Sequence, residues 1–170
     1  MKILLMAAAL FVVLILAVVL TGLLLPKRHV VSRSASYHAT PEQLFAFIAG
    51  PQNWRPEVLR SETLTDAAGH QILRETSRRG ETLTYELVAC VPLKTLTRRI
   101  ATQNLPYSGA WTYSLEPDNG LTTVRITEDG EVYNPFFRFM SRFVLGYTGT
   151  MDAYLRALGK ATGQDIQVHD

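Results

Sequence analysis

The residue types that most often carry chemistry are few and scattered in this sequence. Its one cysteine, Cys90, lies in an apolar strand-like stretch with no histidine near it, so we predict a packed side chain rather than a nucleophile. The four histidines, at positions 29, 38, 70 and 169, lack the spacing of metal ligands. Phosphate loops, dinucleotide-binding glycine motifs and the Gly-x-Ser-x-Gly turn are also missing. We therefore predict no metal and no cofactor.

Two charged residues fall on predicted inward-facing positions, Arg98 between Leu96 and Ile100, and Glu128 two residues after Ile126. Buried charges must be paired, so we expect an ion pair, either Arg98 with Glu128 or Glu128 with Arg138. One interpretation is that this pair only ties the sheet to a helix. The other is that it orients a polar ligand head or transfers a proton. No catalytic residue is assigned, and Glu128 is the candidate if there is catalysis.

These side chains are positioned by a predicted series of strands between two helical segments. Period-two alternation and turn residues predict strands at residues 29–37, 61–65, 71–78, 82–91, 96–102, 109–116 and 122–132. Thr40-Pro41-Glu42-Gln43 predicts a capped helix that runs to Ala49, and Trp54 is expected to plug one end of the domain. The sequence thus predicts one antiparallel sheet with one buried face.

A long helix is predicted to begin at Asn134-Pro135 and to end near Ala161. Its apolar positions recur every three or four residues, which predicts one continuous stripe facing the sheet: Phe136, Met140, Phe143, Tyr147, Met151, Tyr154 and Leu158. Gly146 and Gly149 interrupt this stripe. Since glycine disfavours a helix interior by about 1 kcal/mol, we expect a bend or a close approach to the sheet, and either would shape a cavity.

The first residues predict a membrane anchor. Ile3 to Leu25 carry no charged side chain, and at about 1.5 Å per residue such a helix reaches roughly 34 Å, enough to cross a bilayer. A cleaved signal peptide is the alternative, but its apolar region is shorter and ends at a small-x-small site. We predict an anchor over residues 1–26 and a soluble domain over residues 27–170. More Lys and Arg follow the helix than precede it, which favours a cytoplasmic domain.

The charge balance of the soluble domain argues against nucleic-acid binding. Of 17 Lys and Arg residues all but Lys2 lie beyond the anchor, and 15 Asp and Glu residues balance them. Five arginines could still gather on one side of a sheet, where solvated surface is the favoured interpretation and contact with anionic lipid headgroups the alternative: Arg74, Arg78, Arg79, Arg98 and Arg99.

The sequence resembles the START-like (SRPBCC) superfamily, and within it the bacterial polyketide cyclase/dehydrase-like proteins, over about residues 30–165. The similar features are Val30, Ala39 and Pro41-Glu42 in the opening segment, Trp54-Arg55-Pro56, and the stretch from Thr127 to Pro135 that leads to Arg138 and Arg142. The resemblance implies an α+β helix-grip fold, in which a curved antiparallel sheet of six to seven strands wraps around a long C-terminal helix. It also implies a cavity for a lipid, sterol or polyketide-like molecule.

The predicted ligand-binding residues are the inward-facing positions of the strands and of the long helix: Leu83, Tyr85, Leu87, Arg98, Trp111, Tyr113, Val124, Ile126, Glu128, Phe143, Tyr147 and Met151. The leading hypothesis is membrane-anchored binding of a hydrophobic or amphipathic small molecule, without catalysis. A cyclase or aromatase using Glu128, Tyr85 and Tyr113 is the first alternative. A protein-docking module at the membrane is the second.

Overall fold

The structure is a computed structural model that describes residues 1–170. The chain begins with helix α1, Lys2–Leu24, whose side chains are exposed over most of its length. This helix is long and apolar enough to cross a membrane. Leu25 and Pro26 follow α1, and the first strand begins at Arg28.

Seven strands form one antiparallel sheet in the order β1-β7-β6-β5-β4-β3-β2. They are β1 Arg28–Tyr37, β2 Val58–Thr65, β3 Gln71–Ser77, β4 Thr82–Val91, β5 Thr95–Ile100, β6 Tyr107–Asp118 and β7 Leu121–Val132. All neighbours after β2 are joined by hairpins, and only β1 crosses the sheet to pair with β7. The predicted strands are confirmed, and β2 begins three residues earlier than expected.

Helix α2, Pro41–Ala49, begins with the predicted capping box. The Thr40 hydroxyl accepts from the Gln43 amide, and the Gln43 side chain accepts from the Thr40 amide at 3.0 Å. Leu44 and Ile48 are fully buried against the core. Trp54, just beyond this helix, packs edge-on against Phe47 and against Tyr154 of the core.

The predicted long C-terminal helix is wrong as one continuous element. Helix α3, Pro135–Met140, passes into a π-helical turn, Ser141–Leu145, and the chain breaks at Gly146 before helix α4, Gly149–Ala161. Gly146 has φ +74°, a conformation that strains other residues and explains why the break falls there. The expected interruption by the two glycines is therefore a full break.

The break divides the predicted apolar stripe into a buried part and an exposed part. Met151, Tyr154 and Leu158 on α4 are fully buried in the core against the sheet. Phe136 and Phe143, before the break, are instead about half exposed. Hence α4 alone is the helix that the sheet grips. Its buried side chains pack against strands β1, β6 and β7.

Two polar links hold α4 on β1. The hydroxyl of Tyr37, which is fully buried, donates to the carbonyl oxygen of Leu155 at 2.9 Å. The Arg33 guanidinium bonds the Asp152 carboxylate at 2.6 Å. Because β1 is the edge strand next to β7, these links fix α4 over the β1–β7 side of the sheet.

Candidate functional site

A cavity of about 480 Å³ lies between the sheet and the segment around the helix break. Its lining comes from β1, β3 to β7, the loop before β6, and the chain from α3 to the start of α4: His29, Arg55, Leu73, Glu75, Tyr85, Arg98, Ile100, Pro106, Tyr107, Ser108, Gly109, Trp111, Tyr113, Glu128, Glu131, Val132, Phe137, Ser141, Gly146, Tyr147 and Thr150. This volume suits a small organic molecule.

The lining residues differ in exposure, which distinguishes the inner end from the mouth. Glu75, Arg98 and Tyr113 are buried. Tyr107 and Phe137 are 40% and 46% exposed. The mouth therefore lies between the start of β6 and α3.

A hydrogen-bonded group on β1, β6 and β7 faces the cavity. The Glu128 carboxylate accepts from the indole Nε1 of Trp111 at 2.6 Å and bonds the His29 Nε2 at 2.9 Å. The His29 ring stacks on Tyr147 with centroids 4.0 Å apart. A Cβ on Gly130 would lie 2.7 Å from the His29 ring, so glycine leaves room for the pair. The strand register brings these groups together, since Trp111 is directly opposite Glu128 and Gly130 is opposite His29.

A second charged pair lies at the inner end of the cavity. Arg55, in the loop after α2, bonds the Glu75 carboxylate at 3.2 Å and lies 5.2 Å from the ring centre of Tyr154. Burial raises the pKa of Glu75, and Arg55 only partly opposes that effect. Burial alone would lower the pKa of Arg55, but the carboxylates of Glu75 and Glu57 raise it. Glu75 is thus a carboxyl group that holds a proton more readily than a surface glutamate does.

Tyrosine hydroxyls supply neutral polar groups among the apolar walls. Burial raises the pKa of Tyr113 to about 12, and burial also raises the pKa of Tyr85. Both phenols are therefore protonated at neutral pH and are available as hydrogen-bond donors.

The expected ion pairs of Arg98 with Glu128 and of Glu128 with Arg138 are both wrong. Arg98 donates to the carbonyl oxygens of Ile48 and Ala49, at 2.8 and 2.6 Å, which satisfies the C-terminal end of α2. Arg138 is buried, and it donates to the carbonyl oxygen of Leu25 at 2.8 Å. Each arginine binds unpaired backbone carbonyls instead of a carboxylate.

The structure brings six of the twelve predicted ligand-binding residues to the cavity: Tyr85, Arg98, Trp111, Tyr113, Glu128 and Tyr147. It places the other six elsewhere. Val124 and Ile126 on β7 and Met151 on α4 are fully buried in the core between sheet and helix. Phe143 is 58% exposed because it precedes the helix break. Leu83 lies outside the cavity.

Leu87 lines a separate small pocket instead. The strand register shifts between Leu87 and Ala89, so the alternation read along this strand fails at that point. Beyond the shift Val91, which would share a face with Tyr85 and Leu87 by simple alternation, is 51% exposed.

Sequence reasoning missed three charged or polar groups of the cavity, His29, Arg55 and Glu75. Glu75 shares a face with Leu73 by simple alternation, so the pattern of β3 contained its signal. Arg55 belongs to the Trp54-Arg55-Pro56 segment, but no sequence pattern shows that this loop reaches the cavity. His29 stands at the start of β1, where strand alternation has hardly begun.

The geometry supports two kinds of chemistry. The apolar and aromatic surfaces can exclude water from a ligand, and the arginine, carboxyl and phenol groups can bind a polar end. The His29–Glu128 pair and the buried carboxyl of Glu75 could also exchange protons with a bound molecule.

Comparison with known proteins identifies a matching family and similar solved structures. A family model described as polyketide cyclase / dehydrase and lipid transport matches residues 28–162. A search of curated proteins found no match. Among solved structures, truncated norcoclaurine synthase from Thalictrum flavum has a TM-score of 0.61 at 14% identity, over 79% of this chain and 93% of that chain.

Two bacterial structures are similar to the same extent. The Zhui aromatase/cyclase from a Streptomyces species has a TM-score of 0.61 at 16% identity, over 79% of this chain and 94% of that chain. The protein XoxI from Bacillus cereus has a TM-score of 0.60 at 18% identity, over 80% and 95%. At these identities the structures establish the helix-grip fold and no more, whereas the family model covers most of the sequence. The chain belongs to the polyketide cyclase / dehydrase and lipid transport family.

Proposed function

We propose that this protein is a membrane-anchored binder of a hydrophobic or amphipathic small molecule, such as a lipid, sterol or polyketide-like compound. The observation that carries the proposal is the open cavity of about 480 Å³ with aromatic walls. A domain that served only as a docking module has no need of such a space. Tyr85, Tyr113 and Arg98 are suitably placed to bind the polar end of an amphipathic ligand.

The proposed membrane anchor is helix α1. Its side chains are apolar on every face and remain exposed, so a bilayer would bury them at a gain of about 25 cal/mol per Å². The cavity would then be held next to the phase in which apolar molecules concentrate.

Native mass spectrometry of the full chain, released from detergent micelles and followed by extraction of bound molecules, tests the binding. Ser141→Trp would fill the cavity from the π-helical turn, and Glu116→Trp, on exposed β6 surface, is its matched control. We expect a stoichiometric apolar adduct on the wild type and the control, and loss of it from Ser141→Trp. A folded wild-type protein without any adduct would contradict the proposal.

A cyclase or aromatase-type reaction is the second candidate function. The polar groups of the cavity support this candidate. His29 and Glu128 form one potential acid-base pair, and the buried Glu75 and Tyr113, which line the same cavity, are further potential proton donors. Incubating the extracted molecule with wild type and with Glu128→Gln distinguishes the candidates. A change in the molecule that needs Glu128 indicates an enzyme, and an unchanged molecule indicates a carrier.

The soluble domain is proposed to lie on the cytoplasmic side, as the excess of Lys and Arg after α1 favours. Cys90, the one cysteine of the chain, is exposed, so the prediction of a packed side chain is wrong, and the exposed thiol is a natural reporter. In intact cells a membrane-impermeant maleimide should leave Cys90 unlabelled and should label it after lysis. Labelling before lysis would place the domain outside.

A further inference from the structure

Large apolar side chains remain uncovered on α3 and the π-helical turn. The exposed members are Phe136, Phe137, Phe143, Val144 and Leu145, each between 46% and 69% exposed. We call these five side chains the apolar ridge. They crowd into ten residues of sequence, and a contiguous exposed patch of this kind marks an interaction surface.

The ridge is held at the end of α1. A Cβ on Gly22 would lie 1.9 Å from the carbonyl oxygen of Pro135, so the two helices touch where glycine has no side chain. Arg138 then donates to the carbonyl oxygen of Leu25, the first residue beyond α1. Gly22 is within one helical turn of Leu24, so α3 lies at the level where the apolar run ends. If α1 crosses a bilayer, α3 must lie at its surface.

The charged residues near the ridge fit the same level. Lys27, just after the anchor, and Arg142, on the π-helical turn, are both exposed. Tyr133, immediately before α3, is 45% exposed. Cations and tyrosine bordering apolar side chains are typical of the headgroup region of a membrane.

The ridge also borders the mouth of the cavity. Phe137 belongs both to the ridge and to the cavity lining, and Ser141 and Gly146 continue that lining along the same segment. An apolar molecule that reached the ridge would therefore be at the cavity entrance.

We propose that the apolar ridge inserts into the interface of the same bilayer that α1 crosses, so that the mouth of the cavity opens against the membrane. The inference deepens the proposed function and rests on its membrane anchor. Charge complementarity and continuity with α1 select the lipid surface as the occupant, rather than a protein partner. A ligand then moves between bilayer and cavity without crossing water.

Spin labels on the full chain test the insertion in vesicles of phosphatidylcholine and phosphatidylglycerol. In a Cys90→Ser background, labels are placed through Phe137→Cys, Phe143→Cys and Leu145→Cys on the ridge. Leu14→Cys in the middle of α1 and Asp118→Cys at the exposed β6–β7 turn are the reference sites. Collision with oxygen reports lipid, and collision with a water-soluble nickel chelate reports water. We expect the oxygen-to-nickel ratio at the ridge to exceed that at residue 118 several-fold and to stay below that at residue 14.

The reference sites separate the possible failures. Ridge labels as aqueous as the label at residue 118, with a lipid-like label at residue 14, would overturn the inference and leave the anchor intact. An aqueous label at residue 14 would show instead that the anchoring proposal itself is wrong. Ridge labels shielded from both oxygen and nickel would overturn the inference by showing a protein partner or a second copy on the ridge.

Discussion

Replacing Glu128 by alanine removes the hydrogen-bond acceptor shared by two strands of the cavity wall. The carboxylate accepts from Trp111 Nε1 at 2.6 Å and bonds His29 Nε2 at 2.9 Å, and its side chain is only 20% exposed. The variant leaves both nitrogens without a protein partner. We expect a large loss of stability from this one substitution.

The magnitude follows from the two bonds. A hydrogen bond to a charged group contributes about 1.5 to 3 kcal/mol, and water entering the vacated space at the cavity recovers part of it. We expect Glu128→Ala to lower the free energy of unfolding by about 2 to 3 kcal/mol, which is roughly 8 to 12 °C in Tm for a domain of this size. In Glu128→Gln the amide oxygen still accepts from Trp111 and its nitrogen can donate to His29, so the loss should stay below about 1 kcal/mol.

Near-ultraviolet circular dichroism during heating of the full chain in detergent measures both variants. Glu131→Ala is the control, because Glu131 lines the same cavity without a hydrogen-bond partner, and it should stay within about 0.5 kcal/mol of the wild type. A double-mutant cycle with Trp111→Phe should return a coupling energy of about 1 to 2 kcal/mol. The reasoning is refuted if alanine and glutamine cost the same, or if Glu128→Ala melts within about 2 °C of the wild type.

Three further changes test other parts of the structure. Because burial raises the pKa of Glu75, the native state holds a proton on this carboxyl to higher pH than the unfolded chain does. The stability that the protonated carboxyl contributes is therefore lost as the pH rises above the usual range of glutamate. In urea titrations, the free energy of unfolding of the wild type minus that of Glu75→Gln should fall with pH. Tyr37→Phe removes the buried bond to Leu155 and should cost about 1 to 2 kcal/mol in urea unfolding. Gly22→Leu forces α1 away from Pro135 and should speed tryptic cleavage after Lys27 several-fold in detergent.

Matched variants accompany these three tests. A pH-independent difference for Glu75→Gln would mean that the carboxyl group titrates as it does in the unfolded chain. Tyr133→Phe removes an exposed hydrogen bond to the Ser108 hydroxyl and should lower the free energy of unfolding by less than about 0.5 kcal/mol. If Tyr37→Phe lowered it by no more than that, burial would not strengthen the Tyr37 hydrogen bond. Thr21→Ala, beside Gly22 but smaller than the native residue, should leave the cleavage rate unchanged.

Local patterns predict most of this fold. Strand alternation, turn residues and the Thr40 capping box depend on neighbours within a few residues, so they can be read directly from the sequence. The failures arise where a local pattern continues but the chain does not follow it. The apolar spacing from Phe136 to Leu158 persists through Gly146, yet the positive φ of that glycine ends the helix. The bulge after Leu87 ends the alternation on β4 in the same way.

About half of the candidate site could be predicted from the sequence. The rest depends on contacts between residues that are far apart in the sequence. Tyr85, Trp111 and Glu128 point inward by their own strand patterns. The partner of a buried charged residue depends on the order and register of the strands. No local sequence pattern specifies strand order or register. Glu128 meets His29, 99 residues away, because β1 crosses the sheet to pair with β7. The same crossing places α1 and the cavity at one end of the domain.

The cavity follows from a mismatch in length between the sheet and the helix that it grips. Strand β7 has 12 residues and reaches about 40 Å, while α4 has 13 residues and reaches only about 20 Å. An unbroken helix from Pro135 to Ala161 would span the whole strand and fill the space above it. The break at Gly146 turns the first part of that helix aside toward α1, so half of the sheet is left without a packed cover. One glycine conformation thus links the empty volume over Trp111 and Glu128 to the exposed apolar ridge at the end of α1.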